Sequence, residues 1–189
     1  MALQHIVYEE VLVRYTDPNQ ATHLLRQYRP YLETIPSMRR PTESLITIPL
    51  PIAQIQRQNP NQNGQRQQSV TAVQLPCELV FLMCDPEWRV KTDVEILIFI
   101  HRPGEHFPDL LNRWRQTQVL LQRGYHWEMP QHHQDIFSEG AERRLPLFVL
   151  LDYSSGRMRR GMQAAQLPHV CLHLTQADLE QAKSKATQG

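Results

Sequence analysis

Glycine is scarce in this chain, seven residues in 189, and the seven never gather into a P-loop or a dinucleotide-binding fingerprint. Those motifs need several Cβ-free positions so that backbone can close on a phosphate. Cysteine is scarcer still. Cys77, Cys84 and Cys171 are odd in number and sit inside apolar runs, which argues for buried free thiols and against a disulfide framework. The Cys-x6-Cys spacing of the first two fits no zinc pattern. No apolar run is long and unbroken enough to span a bilayer. The opening residues, Met1-Ala2-Leu3-Gln4-His5, lack the basic and apolar regions of a signal peptide. Charge of one sign is also missing: the net charge is +1, so no global field draws in nucleic acid or an anionic membrane. A soluble cytoplasmic protein is the expectation, with no membrane partner and with nucleic acid disfavoured.

What remains is ordinary globular material. Hydrophobic residues make up 41% and charged residues 21% of the chain, which excludes wholesale disorder. At this length one core with an appendage is expected, so residues 1–189 are taken as a single domain. The most informative stretch runs from residue 94 to residue 124. Val94-Glu95-Ile96-Leu97-Ile98-Phe99-Ile100 is nearly apolar throughout, as a strand covered on both faces must be. It ends at His101-Arg102-Pro103-Gly104-Glu105-His106 and is followed by an amphipathic helix. Phe107, Leu110, Leu111, Trp114 and Leu121 form the apolar face, with Arg113, Gln116, Gln122 and Arg123 facing away. Pro108 and Asp109 mark the start, and Gly124 stands where a left-handed cap belongs.

The remaining elements follow from local pattern. Residues 6–15 are rich in Val, Ile and Tyr and read as a strand; Asp17-Pro18 then starts a helix carrying Ala21, Leu24, Leu25 and Tyr28. Residues 45–55 alternate as a strand, placed at an edge or bulged by Pro49 and Pro51. Residues 70–84 form its hairpin partner, bent at Pro76. Between them, residues 56–68 contain only Gln, Asn, Arg, Pro and Gly, and read as a flexible Gln/Asn-rich hairpin loop. Residues 145–152 and 169–174 are strands flanking a helix near 158–167. Thr175 and Asp178 cap a terminal helix, and residues 182–189 form a frayed tail. The expected class is therefore α/β (α+β): a mixed central β-sheet with helices packed on it, in the order β-α-β-β-β-α-β-α-β, with a long mobile hairpin.

Several constellations carry chemical potential. The loop 101–107 ends at a helix amino terminus, where Arg102 and Gly104 are the candidates for binding a phosphate-bearing cofactor. Asp152-Tyr153-Ser154-Ser155-Gly156 looks like a fragment of the Asp-x-Ser-x-Ser metal motif of von Willebrand A domains, with glycine in the last position. A strand-to-helix turn with a serine cap accounts for the same residues. Arg157, Arg159 and Arg160 form a basic cluster, and Tyr125 and Trp127 are aromatics of the type favoured in partner contacts. His126, His132, His133 and Asp135 have no recognised ligand spacing, and His169 and His173 would stand about 13 Å apart along a strand. No metal site and no resident cofactor is expected, and no catalytic residue is assigned.

In its order of elements the chain is similar to the Gcn5-related N-acetyltransferases. In that family a central strand leads through an Arg/Gln-x-x-Gly-x-Gly/Ala loop into a helix holding the coenzyme A pyrophosphate. Arg102-Pro103-Gly104-Glu105-His106-Phe107 supplies an arginine and one glycine, without the paired glycines. The resemblance implies an acyl-CoA-dependent transferase as the alternative function. The first expectation is a non-catalytic interaction or assembly protein with a protein partner, acting through Arg157, Arg159, Arg160, Tyr125 and Trp127. Homo-oligomerisation is left open.

Overall fold

A computed structural model describes residues 3–33, 45–60, 66–85, 87, 90–122, 124–136, 141, 143–175, 177–178 and 180. The apolar run at 94–100 lies where its composition requires. It forms the end of β5 (Val90–Ile100), the middle strand of a five-stranded sheet ordered β1-β4-β5-β7-β8. β5 pairs antiparallel with β4 (Leu79–Asp85) and parallel with β7 (Arg143–Leu150). Every residue from 94 to 100 is buried, because both faces of the sheet are covered. On one face Ile96, Ile98 and Ile100 pack under α1 (Leu3–Arg14), α2 (Pro18–Gln27) and the short α3 (Arg29–Leu32). On the other, Leu97 and Phe99 pack under α4 (Phe107–Leu120), α5 (Gly156–Ala164) and a second, three-stranded sheet. The α+β class with a mixed sheet is as expected.

The first element differs from expectation: residues 6–15 are helical, not a strand. Val, Ile and Tyr favour strands intrinsically, but Val7, Val11 and Tyr15 are spaced by four and form one buried stripe on the sheet. Burial of that stripe outweighs a propensity difference of a few tenths of a kcal/mol per residue. The helix capped by Asp17 is present: its carboxylate accepts from the N–H groups of Asn19 and Gln20.

The long hairpin is also present, but it is folded across itself. β1 (Leu45–Pro49) pairs with β4 at the edge of the large sheet, whereas β2 (Ile52–Pro60) and β3 (Arg66–Gln74) pair in the small one. Each run read as one strand is therefore two. The break falls at Leu50, whose φ is +44°, and Pro51 on the outgoing side, and at residues 75–78 on the return. Two bonds brace the corner, Leu50 N–H to Glu78 O and Leu75 N–H to Pro51 O. β2 and β3 carry paired backbone into the Gln/Asn-rich segment, as far as Pro60 opposite Arg66; residues 61–65 and the tail 182–189 lie outside the described residues.

A short strand not expected from sequence, β6 (Tyr125–Trp127), completes the small sheet against β2. It takes up Gly124, whose carbonyl accepts from Gln56 N–H. Gly124 does not adopt a left-handed φ, and α4 ends on Leu121. β7, α5 and the parallel strand β8 (His169–Cys171) form the crossover unit expected at the end of the chain. The three cysteines are free, Cys77 and Cys84 buried and Cys171 half-buried.

Val11 and Val13 separate the helical from the extended reading. In a strand both would share a face; in α1 Val11 is 0% and Val13 60% exposed. Val11→Ala is expected to lower unfolding free energy by about 1–3 kcal/mol, and Val13→Ala by less than about 0.5 kcal/mol, as measured by urea denaturation. Equal losses would restore the strand. A second prediction concerns Asp178, which accepts hydrogen bonds from Thr175 and pairs with Arg14 of α1 at 2.7 Å. Hydrogen bonds from Thr175, and then Arg14, hold its carboxyl below the ordinary 3.8. A depressed folded pKa contributes stability that is present above the unfolded value and lost as pH falls through the folded one. Asp178→Asn therefore flattens the stability profile below about pH 4 and leaves its shape near neutrality unchanged.

A candidate functional site at the carboxyl ends of β5 and β7

β5 and β7 end side by side, with Ile100 opposite Val149. In sheets of this kind the carboxyl ends of parallel strands are where ligands bind. Here that end is occupied by a buried carboxylate, Glu78, with no exposed surface. Its Oε1 accepts from Tyr8 Oη at 3.1 Å, Arg102 Nε at 2.8 Å and Arg113 Nη1 at 2.6 Å. Its Oε2 accepts from Ile100 N–H at 2.9 Å and again from Arg113 Nη1 at 2.8 Å.

Arg113 is equally committed. Nε and Nη2 form a bidentate pair with Glu105 at 2.7 and 2.9 Å, Nη2 also donates to Ile100 O, and Nη1 reaches Pro76 O. Its guanidinium lies 5.8 Å from the centre of the Phe99 ring. Burial works against its charge, but Glu78 and Glu105 outweigh burial and raise its pKa. The sequence had assigned Arg113 to the outward face of α4. It is instead 7% exposed, on the stripe with Leu110, Thr117 and Leu121, because two carboxylates wait for it there.

A second cluster ties the two strand ends together. His101 Nε2 lies 3.0 Å from Glu105 O, and Nδ1 lies 2.7 Å from Ser154 Oγ. A carbonyl only accepts, so Nε2 carries the proton and Nδ1 accepts from the serine hydroxyl. Ser154 Oγ in turn accepts from Leu151 N–H, and Tyr153 Oη donates to His101 O at 2.6 Å. Burial pushes the Tyr8 and Tyr153 phenols well above their usual pKa, with Glu78 adding to the effect on Tyr8. Ser154 and His101 resemble a nucleophile and base in type only. Both are buried and bonded to fixed groups, and neither is among the described residues lining the adjacent cleft.

The open space beside them is a cleft of about 450 Å³ between the amino termini of α4 and α5. Phe107, Pro108 and Met158 give it an apolar lining, and Glu105, His106, Ser155 and Arg157 its polar one, the Glu105 carboxylate being paired with Arg113. Arg102 packs its Nε on Glu78 and keeps 46% of its side chain exposed. Gly104 has φ +77° with open space around it, a backbone conformation that side chains with a Cβ rarely adopt and that the turn at 102–105 uses. Arg157 and Arg160 are exposed on α5, and Arg159 is half-buried with its Nε unpartnered.

Tyr125 and Trp127 are not surface residues. Both are buried on the inner face of the small sheet and donate to the buried Glu95 carboxylate at 2.6 and 2.7 Å. The strand pattern puts them on the same face, and Glu95 draws that face inward. The residues around the von Willebrand-like fragment are also engaged. Asp152 accepts from His173 Nδ1 and Leu174 N–H, Ser154 serves His101, and Ser155 caps α5 by accepting from Met158 N–H. Among the described residues no group of three or more His, Cys, Asp or Glu side chains converges as a metal-ligand set, and no helix is long and apolar enough to cross a membrane.

Glu78 was missed in the sequence, although a signal existed: it stands alone in the apolar run Leu75-Pro76-Cys77-Glu78-Leu79-Val80. A single carboxylate inside such a run must have buried donors. No protein-family model, curated protein or solved structure matches this chain.

Removing one partner of the buried pair leaves the other uncompensated, so Glu78→Leu or Arg113→Met is expected to cost about 3–5 kcal/mol each. The double variant should cost less than the sum, with a coupling of roughly 1–3 kcal/mol in a double-mutant cycle. Additive losses would mean the two side chains act independently.

Proposed function

We propose that this protein is a non-catalytic interaction protein whose α5 face receives an acidic segment of a partner protein. The observation that carries this reading is the charge on α5. Arg157, Arg159 and Arg160 stand within the first five residues of a nine-residue helix without one acidic residue. In the first turn the backbone dipole is already positive, and a cation there, as Arg157 is, costs about 0.3–1 kcal/mol. Arg157 and Arg160 are also three apart, a like-charge spacing that adds to the cost. Among the described residues none of the three has a carboxylate partner. An acidic segment reverses the sign of all these contributions at once, and the neighbouring cleft of about 450 Å³ accepts one large apolar side chain between its carboxylates.

The absence of a catalytic role rests on the strand ends. The groups there with reactive chemistry, Glu78, Glu105, Arg113, His101 and Ser154, are bonded to one another or to backbone, and of that set only Glu105, already paired with Arg113, borders the cleft. β5 and β7 remain paired through Ile100, which leaves no gap between them for a cofactor arm. The second reading, an acyl-CoA-dependent transferase, has one observation in its favour. The amino termini of α4 and α5 flank the same cleft, and both favour an anion.

One experiment separates the two. Labelled peptides with Asp or Glu on either side of a Leu or Phe are titrated in fluorescence anisotropy, against neutral scrambled controls. Binding is expected to weaken at least about tenfold in Arg157→Glu/Arg160→Glu and to fall with added salt. Equal binding of neutral peptides, or indifference to the double reversal, overturns the interaction reading. A thermal shift with millimolar coenzyme A, without peptide binding, moves the assignment to the transferase.

A further inference from the structure

A second cleft, of about 360 Å³, opens on the same face of the large sheet but at the opposite end, between the last turns of α4 and the start of β7. Leu97, Leu121 and Leu145 form its floor and Trp114 one wall. Leu97 and Leu121 belong to the buried core, so the cleft is a place where core surface is reached from outside. Its volume falls in the range of small-molecule sites, about 300–1,000 Å³.

The charged groups among the described residues that line it are of one sign. Arg143 and Arg144 are consecutive residues at the start of β7, and both line the cleft. Arg143 is exposed and makes no ion pair among the described residues. Arg144 donates to Leu121 O and lies over the Tyr125 ring, 5.8 Å from its centre, and among the described residues it too has no carboxylate partner. Glu95, the residue opposite Arg144 in the strand register, turns its carboxylate to Tyr125 and Trp127 and does not line the space. Gln118 and Gln122, both exposed, supply amides at the mouth. The cleft thus pairs an apolar floor and an indole wall with two guanidiniums, and among the described residues none that lines it is acidic.

We infer that this cleft binds a small apolar carboxylate, with its flat or aliphatic body on Leu97, Leu145 and Trp114 and its carboxylate at Arg143 and Arg144. A neutral apolar molecule would leave the guanidiniums unused, and a phosphate without an apolar body would leave the floor wet. Arginine suits the acid because its fork matches the two carboxylate oxygens. The site is independent of the α5 surface.

The test uses 2-naphthoate as ligand and 2-naphthamide, its uncharged counterpart, as control, with titration calorimetry and quenching of tryptophan emission as readouts. 2-Naphthoate is expected to bind at least about tenfold more tightly than the amide. Arg143→Glu, at an exposed residue with no structural bond, should remove that preference and leave the amide unaffected. Gln118→Trp, which fills the mouth from the helix side, should weaken both compounds. The inference is overturned if 2-naphthoate does not bind at millimolar concentration, if it binds no better than the amide, or if Arg143→Glu leaves its affinity unchanged. Circular dichroism of each variant separates loss of binding from loss of fold.

Discussion

A carboxylate removed from water has to be surrounded by donors, and in this protein Glu78 is where that requirement organises the fold. Its oxygens face both layers that cover the sheet: Tyr8 reaches it from α1 on one face and Arg113 from α4 on the other. Its backbone continues the ladder, with N–H to Ile98 O and carbonyl to Leu50 N–H. The corner of the folded hairpin, the end of β5 and the start of α4 are therefore held by one side chain and its neighbours. An apolar residue here could bury as much surface but would give no direction to Arg102, Arg113 and Glu105. Such a pair contributes little net stability once desolvation is counted; its effect is to specify one arrangement of the loop at 101–106.

The same network accounts for the residue types associated with catalysis that accumulate at this end, since each is bonded within it or to nearby backbone. A histidine whose Nε2 proton is bound to a carbonyl and whose Nδ1 is bound to a serine holds its tautomer firmly. It has also no free lone pair to offer. The serine accepts a backbone N–H as it donates. Charge that remains available lies elsewhere, on α5 and at the start of β7, where arginines stand beside clefts without carboxylate partners among the described residues. Position on the sheet is thus a poor guide to reactivity until each donor and acceptor has been assigned.

The central strand, the amphipathic α4 and the β7–α5–β8 unit were legible because each carries a strong local pattern: an unbroken apolar run, a 3.6-residue stripe, a serine cap. The amino-terminal helix was not, since Val7, Val11 and Tyr15 sit among β-branched neighbours that mask their spacing of four. The folding of the hairpin was half visible: Pro51 and Pro76 announce breaks, but nothing local says that the two halves join different sheets. Arg113 was placed on the wrong face of its helix because a cation on the apolar stripe reads as a spacing error until its buried partners are known. Tyr125 and Trp127 were candidates for the surface for the same reason, their acceptor Glu95 being thirty residues away in the chain.

Composition and periodicity were enough to establish a water-excluded middle strand and a mixed sheet with helices on it, since those depend on how apolar residues repeat along a few turns or one strand. The arrangement of charge was beyond them. Glu78 and Arg113 are 35 residues apart, and Glu95 and Tyr125 are 30, so their pairing exists only after β4, β5, α4 and β6 have packed. Hydrophobic pattern is a property of neighbours in sequence, whereas the partner of a buried ion is a property of neighbours in space.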